Sequence, residues 1–384
     1  MTGVMDKIRK PRIAILGDFP IGKVCARYAE RKCFYAGWLS NLSDLLQEVD
    51  EFDIHWIIVD KMIERKEVLQ HGNQTFHLYP GSGLTVGLYT AYIYNRLQVA
   101  KCVREIKPDV LHAWGTERFY GLAAKDFKGV SILSVQGILE ACNQRAEISP
   151  FERKQRWYES RVLRGVDFVT TESEWAKDRV LELAPDADVT LWEYAPEKRF
   201  FSLTRTLTEA PACLFAGTHT PVKDVPTAVK AFSCPELSHI TLYLAGISPG
   251  TIKALPSNVV PLGKLSRQEM EEYLSKVWCL VHPSLADSSP NIVKEARVVG
   301  VPAVVTTECG GKQYIENGKS GFIIAPRDAR ALADAVLRMT ESKEIALRMG
   351  AYQQERCRCL LSHETMRDGV VKIYHKAINL KKND

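Results

Sequence analysis

Short apolar runs alternate with stretches of helical period along the whole chain. In the first half RIAILGDF, DIHWIIVD, TFHLY, DVLHAWG, SILSVQG and DFVTTES read as strands, with one helix from about Gly22 to Val49 and another ending near Ile106. Such alternation implies parallel sheet with helices on both faces, whose ligands sit beyond the carboxyl ends of the strands. The pattern breaks between Tyr194 and Pro211, where YAPEKRFFSLTRTLTEAP shows neither period and has prolines near both ends. It then restarts. CLFAGT, ITLYLAGI, NVVPLG, VWCLVHPS, PAVVTT and GFIIAP read as strands, with helices near Val225 to Phe232, Arg267 to Leu274 and Asp328 to Met339. A last helical stretch begins near Lys343 and has no strand after it. The expectation is therefore an α/β chain of two domains, residues 1–195 and 196–360, with 361–384 a helix that packs back on the first domain.

The segment HPSLADSSPNIVKEARVVGVPAVVTT, beginning at His282, carries the most chemistry. An apolar strand runs into a polar loop and then into a helix with readable ends. Ser289 reads as its N-cap, Pro290 as its first residue, and Gly300 with Pro302 as its stop. The backbone N–H groups of Asn291 and Ile292 then lie unpaired in the first turn, at the positive end of the helix dipole, where an anion such as phosphate is favoured. Asp287 precedes that turn and Glu295 follows one turn into the helix. Neither carboxylate neutralises a phosphate, but both accept hydrogen bonds from hydroxyl groups, such as those of a ribose and a hexose flanking a diphosphate. The bland reading is a capped helix with two solvated acids.

With these residues in view, the chain resembles the retaining glycosyltransferases of family four, the "glycosyl transferases group one" type. That resemblance implies a GT-B fold, two Rossmann-like parallel-sheet domains facing each other across a cleft. The family's acid, seven residues and glutamate correspond here to Asp287, SSPNIVK and Glu295, followed by Ala296 and GVPAVVTT. The first acid is Asp where the family usually has Glu. Further on, ECGGKQYIENGKSGFII is similar to the family's double-glycine loop, and DARALADAVLRM to its closing helix. Upstream, CLFAGTHTPVKDVPTAVKAF brings Gly217 and Lys223 into the family's register, with Thr218 at the usual arginine position and His219 beside it. The resemblance implies a donor site made by Gly217, Thr218, His219, Lys223, Ser288, Ser289, Pro290, Asn291, Ile292 and Glu295. In the first half, GDFPIGKV is similar to the family's glycine loop, where Gly22 lets backbone approach a donor phosphate or the acceptor. SILSVQG presents Gln136 where the family usually has a histidine. A glutamine exchanges hydrogen bonds with sugar hydroxyls but takes no proton, and His112 is the nearby alternative.

Lys223, Asp287 and Gln136 are accordingly the expected catalytic group, with no protein nucleophile and no metal. The reaction implied is transfer of a hexose-type sugar from a nucleotide diphosphate donor, with UDP ahead of GDP or ADP, to a hydroxyl of a glycan or lipid-linked acceptor. The setting implied is synthesis of a cell-surface polysaccharide or glycoconjugate. Two other readings are a sugar nucleotide epimerase or phosphorylase of related fold, and a sugar-nucleotide-binding protein without catalysis. A nicotinamide oxidoreductase is disfavoured because no Gly-x-Gly-x-x-Gly follows either domain's first strand.

Composition narrows the setting. With 384 residues the chain is long enough for two cores. A net charge of +5 spread among alternating acids does not favour nucleic acid. Lys23, Arg27, Arg31 and Lys32 form a basic run that suits a solvated face and an anionic lipid surface about equally, leaving peripheral membrane association open. The ten cysteines include no CxxC pair, which reads as reduced thiols rather than a zinc site. The apolar run Ile13 to Leu16 is too short for a signal peptide, and no window reaches roughly 18 apolar residues, so the expected place is the cytoplasm or the inner face of its membrane.

Overall fold

The computed structural model describes residues 9–29, 37–142 and 149–381. Eight strands form the first sheet: β1 (Arg12–Leu16), β2 (Asp53–Asp60), β3 (Glu67–His71), β4 (Gln74–Pro80), β5 (Val110–Trp114), β6 (Val130–Ser134), β7 (Phe168–Thr171) and β8 (Val189–Leu191). Their order is β3-β4-β2-β1-β5-β6-β7-β8. The central strands β5 and β6 are buried along their entire length, as strands covered on both faces must be. Six strands form the second sheet: β9 (Ala212–Ala216), β10 (Thr241–Ala245), β11 (Val259–Gly263), β12 (Cys279–His282), β13 (Ala303–Thr306) and β14 (Gly321–Ile324), in the order β11-β10-β9-β12-β13-β14. All its pairings are parallel.

The two Rossmann-like parallel-sheet domains are as expected, with one exception at an edge, where β3 runs antiparallel to β4 through a turn at Gly72, whose φ is +58°. One expectation needs correction: the single long helix expected from Gly22 is absent from the described residues. Among the described residues of this stretch there are two short 3-10 turns, Ile21–Lys23 and Ala26–Tyr28, and a helix at Gly37–Leu46. Gly22 permits the first turn to fold against the second, since a side chain there would meet the backbone of Ala29 at 2.9 Å. Of the basic run, Lys23 and Arg27 sit on these turns in ion pairs with Asp44 and Glu67, while Arg31 and Lys32 lie outside the described residues.

The last helix, His363–Lys381, presents Met366, Val370, Ile373, Tyr374 and Ala377 along one stripe, and these share a core with Trp56, Trp114 and Trp192 of the first domain. The two domains also share apolar surface near their strand ends. Ala286 of the second domain belongs to the same buried cluster as Val135 and Ile138 of the first, and partly buried Val222 packs against that cluster. Val222 and Ala286 each precede a polar residue, Lys223 or Asp287, and Val135 and Ile138 bracket Gln136. Packing therefore brings both sets of strand ends to one region.

Candidate functional site

The helix after β12 spans Asn291–Val299 and stops at Gly300, whose φ of +88° suits glycine. Its start differs by one residue from the expected one. Pro290 is the N-cap, because its carbonyl accepts the N–H of Val293 at 3.0 Å, and Ser289 makes no capping bond. Asn291 and Ile292 remain the first two helical residues, so their N–H groups keep no acceptor within the helix.

Two loops are clasped at this helix start. Leu285 donates its N–H to the Val222 carbonyl at 2.7 Å, and the Ser284 hydroxyl donates to the same oxygen at 2.9 Å. The loop after β9 is thereby fixed to the loop after β12, and the Lys223 ammonium meets the Asp287 carboxylate in an ion pair. His282 lies 3.0 Å from the same carboxylate oxygen. The Lys223 stem runs past Gly217, where a side chain would come within 3.4 Å of it. Burial works against ionisation of Asp287, but the Lys223 charge and the His282 hydrogen bond outweigh it and hold the carboxyl well below the usual range. Thr218 and His219 lie on the exposed rim of the same loop. Ser288 is nearly buried, with a hydroxyl that has no hydrogen-bond partner among the described residues.

Glu295 sits one turn further along, half-buried, near Glu197 and Arg267. Burial first, then the Glu197 charge, pushes its carboxyl up to about 7, against the opposing pull of Arg267 and Lys294. A carboxyl so poised exchanges hydrogen bonds with hydroxyls as donor or acceptor.

Sequence reasoning missed the joint that holds this helix to the first domain. Lys294 is fully buried, ion-paired with Glu172 just beyond β7, and donates to the Tyr194 carbonyl at 3.2 Å. Around it, the Ser173 hydroxyl donates to the Ser288 carbonyl at 2.6 Å, and Gln313 donates to the Glu172 carbonyl at 2.9 Å. Tyr314 donates to Glu193, whose carboxyl burial pushes up to about 7 despite Lys294. Gly310 makes room for this contact, because a side chain there would stand 1.8 Å from the Ser288 carbonyl oxygen.

On the first domain, two adjoining cavities of about 390 and 400 Å³ open beyond the carboxyl ends of the strands, sharing Asp18, Arg118 and Tyr120. Gln136 lines the second, together with Glu117, Trp38 and Trp114. Glu117 is the other residue that sequence reasoning missed. Its carboxyl folds over the glycines that end two neighbouring strands, 2.2 Å from where a side-chain carbon on Gly115 would be and 3.8 Å from one on Gly137. Burial, and then the nearby Glu159, pushes it up to about 7. Glu159 is itself buried and accepts the Thr116 hydroxyl at 2.7 Å and the N–H groups of Leu139 and Glu140 at 3.0 Å each, which ties the two loops together.

Lys223, Gly217 and Asp287 thus meet directly, with Ser288 to Ile292 following and Glu295 one turn on. Gln136 faces the neighbouring cavity. Gly22 does not line either cavity, since its open side is filled by Ala29. His112 is excluded as an exposed acid or base: fully buried, it holds Tyr374 at 3.0 Å and Ser134 at 2.7 Å, and burial pushes it down to about 3. Among the described residues, no group of three or more His, Cys, Asp or Glu side chains is gathered as a metal site, and no helix is long and apolar enough to cross a membrane.

Residues 210–342 match the family model Glycosyl transferases group 1. A D-inositol 3-phosphate glycosyltransferase from Nocardioides sp. is 23% identical over 194 residues, 44% of this chain and 42% of that protein, so the match spans less than half of that relative's length. The sucrose-phosphate synthase of Thermosynechococcus elongatus has the same fold, with a TM-score of 0.77 at 15% identity over 96% of this chain and 100% of that one. HepE from Anabaena, solved in complex with UDP-glucose, gives a TM-score of 0.67 at 14% identity over 95% and 99%.

Proposed function

We propose that the chain, whose fold is GT-B and whose residues 210–342 match the group 1 glycosyl transferase model, is a glycosyltransferase that transfers a hexose-type sugar, with retention and without metal, from UDP-sugar to a hydroxyl of a glycan or lipid-linked acceptor. The observation that carries this reading is the Lys223–Asp287 pair set at the open N-terminus of the Asn291–Val299 helix, one turn before Glu295. The UDP-glucose held by HepE supports the choice of donor.

In this reading the diphosphate takes the N–H groups of Asn291 and Ile292 and draws Lys223 away from Asp287. Asp287 is then released to accept a hydroxyl of the transferred sugar, and Glu295 takes the ribose hydroxyls. The bond from the anomeric carbon to the β-phosphate oxygen breaks, its electron pair leaving with UDP. The acceptor oxygen forms the new bond on the same face. Its proton passes to the Glu117 carboxylate, with Gln136 holding a neighbouring hydroxyl. Glu117 thereby supplies the proton acceptor that Gln136 cannot be. Synthesis of a cell-surface polysaccharide or glycoconjugate on the cytoplasmic side is the proposed setting.

Calorimetry with UDP, UDP-glucose, GDP and ADP, with and without EDTA, tests the donor assignment. One nucleotide should bind regardless of EDTA, about 10- to 100-fold more weakly in Lys223→Ala and in Glu295→Ala. If no nucleotide binds, or affinity is unchanged in both variants, the second domain is not a donor site.

A further inference from the structure

The large apolar residues that remain exposed are not scattered. Leu84, Val86 and Tyr89 of the helix Leu84–Tyr89 and Ile93, Tyr94 and Leu97 of the next helix, Ile93–Ile106, all face outward, Val86 at 64% and Tyr89 and Leu97 at 60% exposure. The inner sides of both helices are buried through Gly87, Leu88, Asn95, Val99 and Cys102, so each element is apolar on both faces. A polar outer face is the usual arrangement for a surface helix, and a contiguous exposed apolar area marks an interaction site.

Basic residues border this area. On the second helix, Lys101 and Arg104 continue the outward stripe of Ile93 and Leu97 at helical spacing and are exposed. On the helix Pro150–Leu163, exposed Trp157 is covered on one side by the Arg161 guanidinium, 4.7 Å from its ring centre, and Lys154 lies 5.3 Å from the Tyr89 ring centre. The nearby acids Glu105 and Asp126 are held in ion pairs with Lys66 and Arg96. The area is also continuous with the first-domain cavity, since Met62 and Leu84 are both exposed and line it.

We infer that the outer face of the helices Leu84–Tyr89 and Ile93–Ile106, with the Trp157 edge beside it, docks on the surface of an anionic lipid bilayer. The apolar tips enter the acyl boundary, the tyrosines and Trp157 sit at headgroup level, and Lys101, Arg104, Lys154 and Arg161 meet lipid phosphates. A second copy of the chain fits this face less well. A two-fold contact sets the basic border against itself, and it covers Met62 and Leu84 at the cavity mouth. A bilayer leaves the cavity open toward the membrane, where a lipid-linked hydroxyl is presented. The orientation of the acceptor rests on the proposed transferase function, but lipid binding by this face does not.

The test is co-sedimentation of the full chain with phosphatidylcholine vesicles, either pure or with about one-third phosphatidylserine, alongside calorimetry of UDP on the same samples. Partitioning should be about 100-fold stronger on the anionic vesicles at low salt. It should drop by about ten-fold or more in each of Val86→Glu and Leu97→Glu, with UDP affinity and melting temperature unchanged. Equal partitioning on both vesicles, or variants that sediment like the wild type, would overturn the inference, as would sedimentation velocity showing a dimer that Leu97→Glu dissociates. Failure of UDP to bind while vesicle binding persists counts against the donor assignment alone.

Discussion

Replacing Lys294 with methionine keeps most of the side-chain volume and removes one charge from the face where the domains meet. The ammonium has no exposure, and its partners are the Glu172 carboxylate and the Tyr194 carbonyl at 3.2 Å. Leaving one member of such a pair buried without the other costs about 3–5 kcal/mol. Glu172 limits that loss by taking up a proton. Burial already pushes its carboxyl up, with the Lys294 charge as the largest opposing influence, so loss of the lysine raises it further. An acid whose folded pKa lies above its unfolded value contributes stability that is fully present below the unfolded value, about 4.3, and is lost as pH rises through the folded one. The deficit of Lys294→Met relative to the wild type should therefore be small in mild acid and grow toward the full amount as pH rises through the raised Glu172 value. Urea unfolding followed by tryptophan fluorescence from mild acid to mild alkali reads it directly, and adding Glu172→Gln should recover much of the loss at high pH, the remainder coming from Glu193, which also faces the Lys294 charge. A deficit under about 1 kcal/mol, or one that does not change with pH, would mean that the pair is hydrated and does not hold the domains together.

Two further outcomes follow from the same geometry. With Glu117 poised near 7, its ionised fraction rises from about one-tenth at pH 6 to about nine-tenths at pH 8, so the rate of acceptor-dependent UDP release should climb about ten-fold over that span. The climb should vanish in Glu117→Gln and persist in Glu295→Gln; a matching climb in Glu117→Gln refutes the role. Gly310→Ala forces a carbon against the Ser288 carbonyl and the Ser173 hydroxyl, so it should cost about 1–3 kcal/mol by thermal unfolding and weaken UDP binding through the displaced Asp287 loop. An unchanged melting temperature would show that the joint yields.

What the sequence disclosed, and what it hid, follows from how each feature is held. Strands such as VLHAW and SILS are covered on both faces and so stand out as apolar runs. The Asn291–Val299 helix was legible from Pro290 and Gly300, and its start moved by one residue only because proline's own carbonyl accepts the first helical bond. The antiparallel β3 was not legible, since an edge strand with exposed residues has no buried alternation to betray it. Lys294 drew no reading from the sequence because the partner that makes its burial tolerable lies 122 residues away. Glu117 was likewise a single acid in a loop, and only the return of β6 beside β5 gives it Gln136 as a cavity neighbour.

The shorter aspartate at position 287 is accommodated by the way its loop is tethered. Gly310 donates its N–H to the Asp287 carbonyl at 2.7 Å while Asp287 donates its own to Glu308 at 3.1 Å, so the backbone here is pinned on both sides. The Leu285–Val222 bond at 2.7 Å then brings the Lys223 turn up to it, and a one-carbon-shorter arm suffices to reach both Lys223 and His282. In the proposed reaction this pairing has a consequence for specificity. Lys223 leaves Asp287 only for a stronger anion, and Asp287, once left, is a largely buried carboxylate that keeps His282 and gains from a second donor. A diphosphate that carries no sugar supplies the first exchange without the second. The intact donor supplies both, and discrimination in favour of UDP-sugar over UDP then arises from the resting ion pair itself.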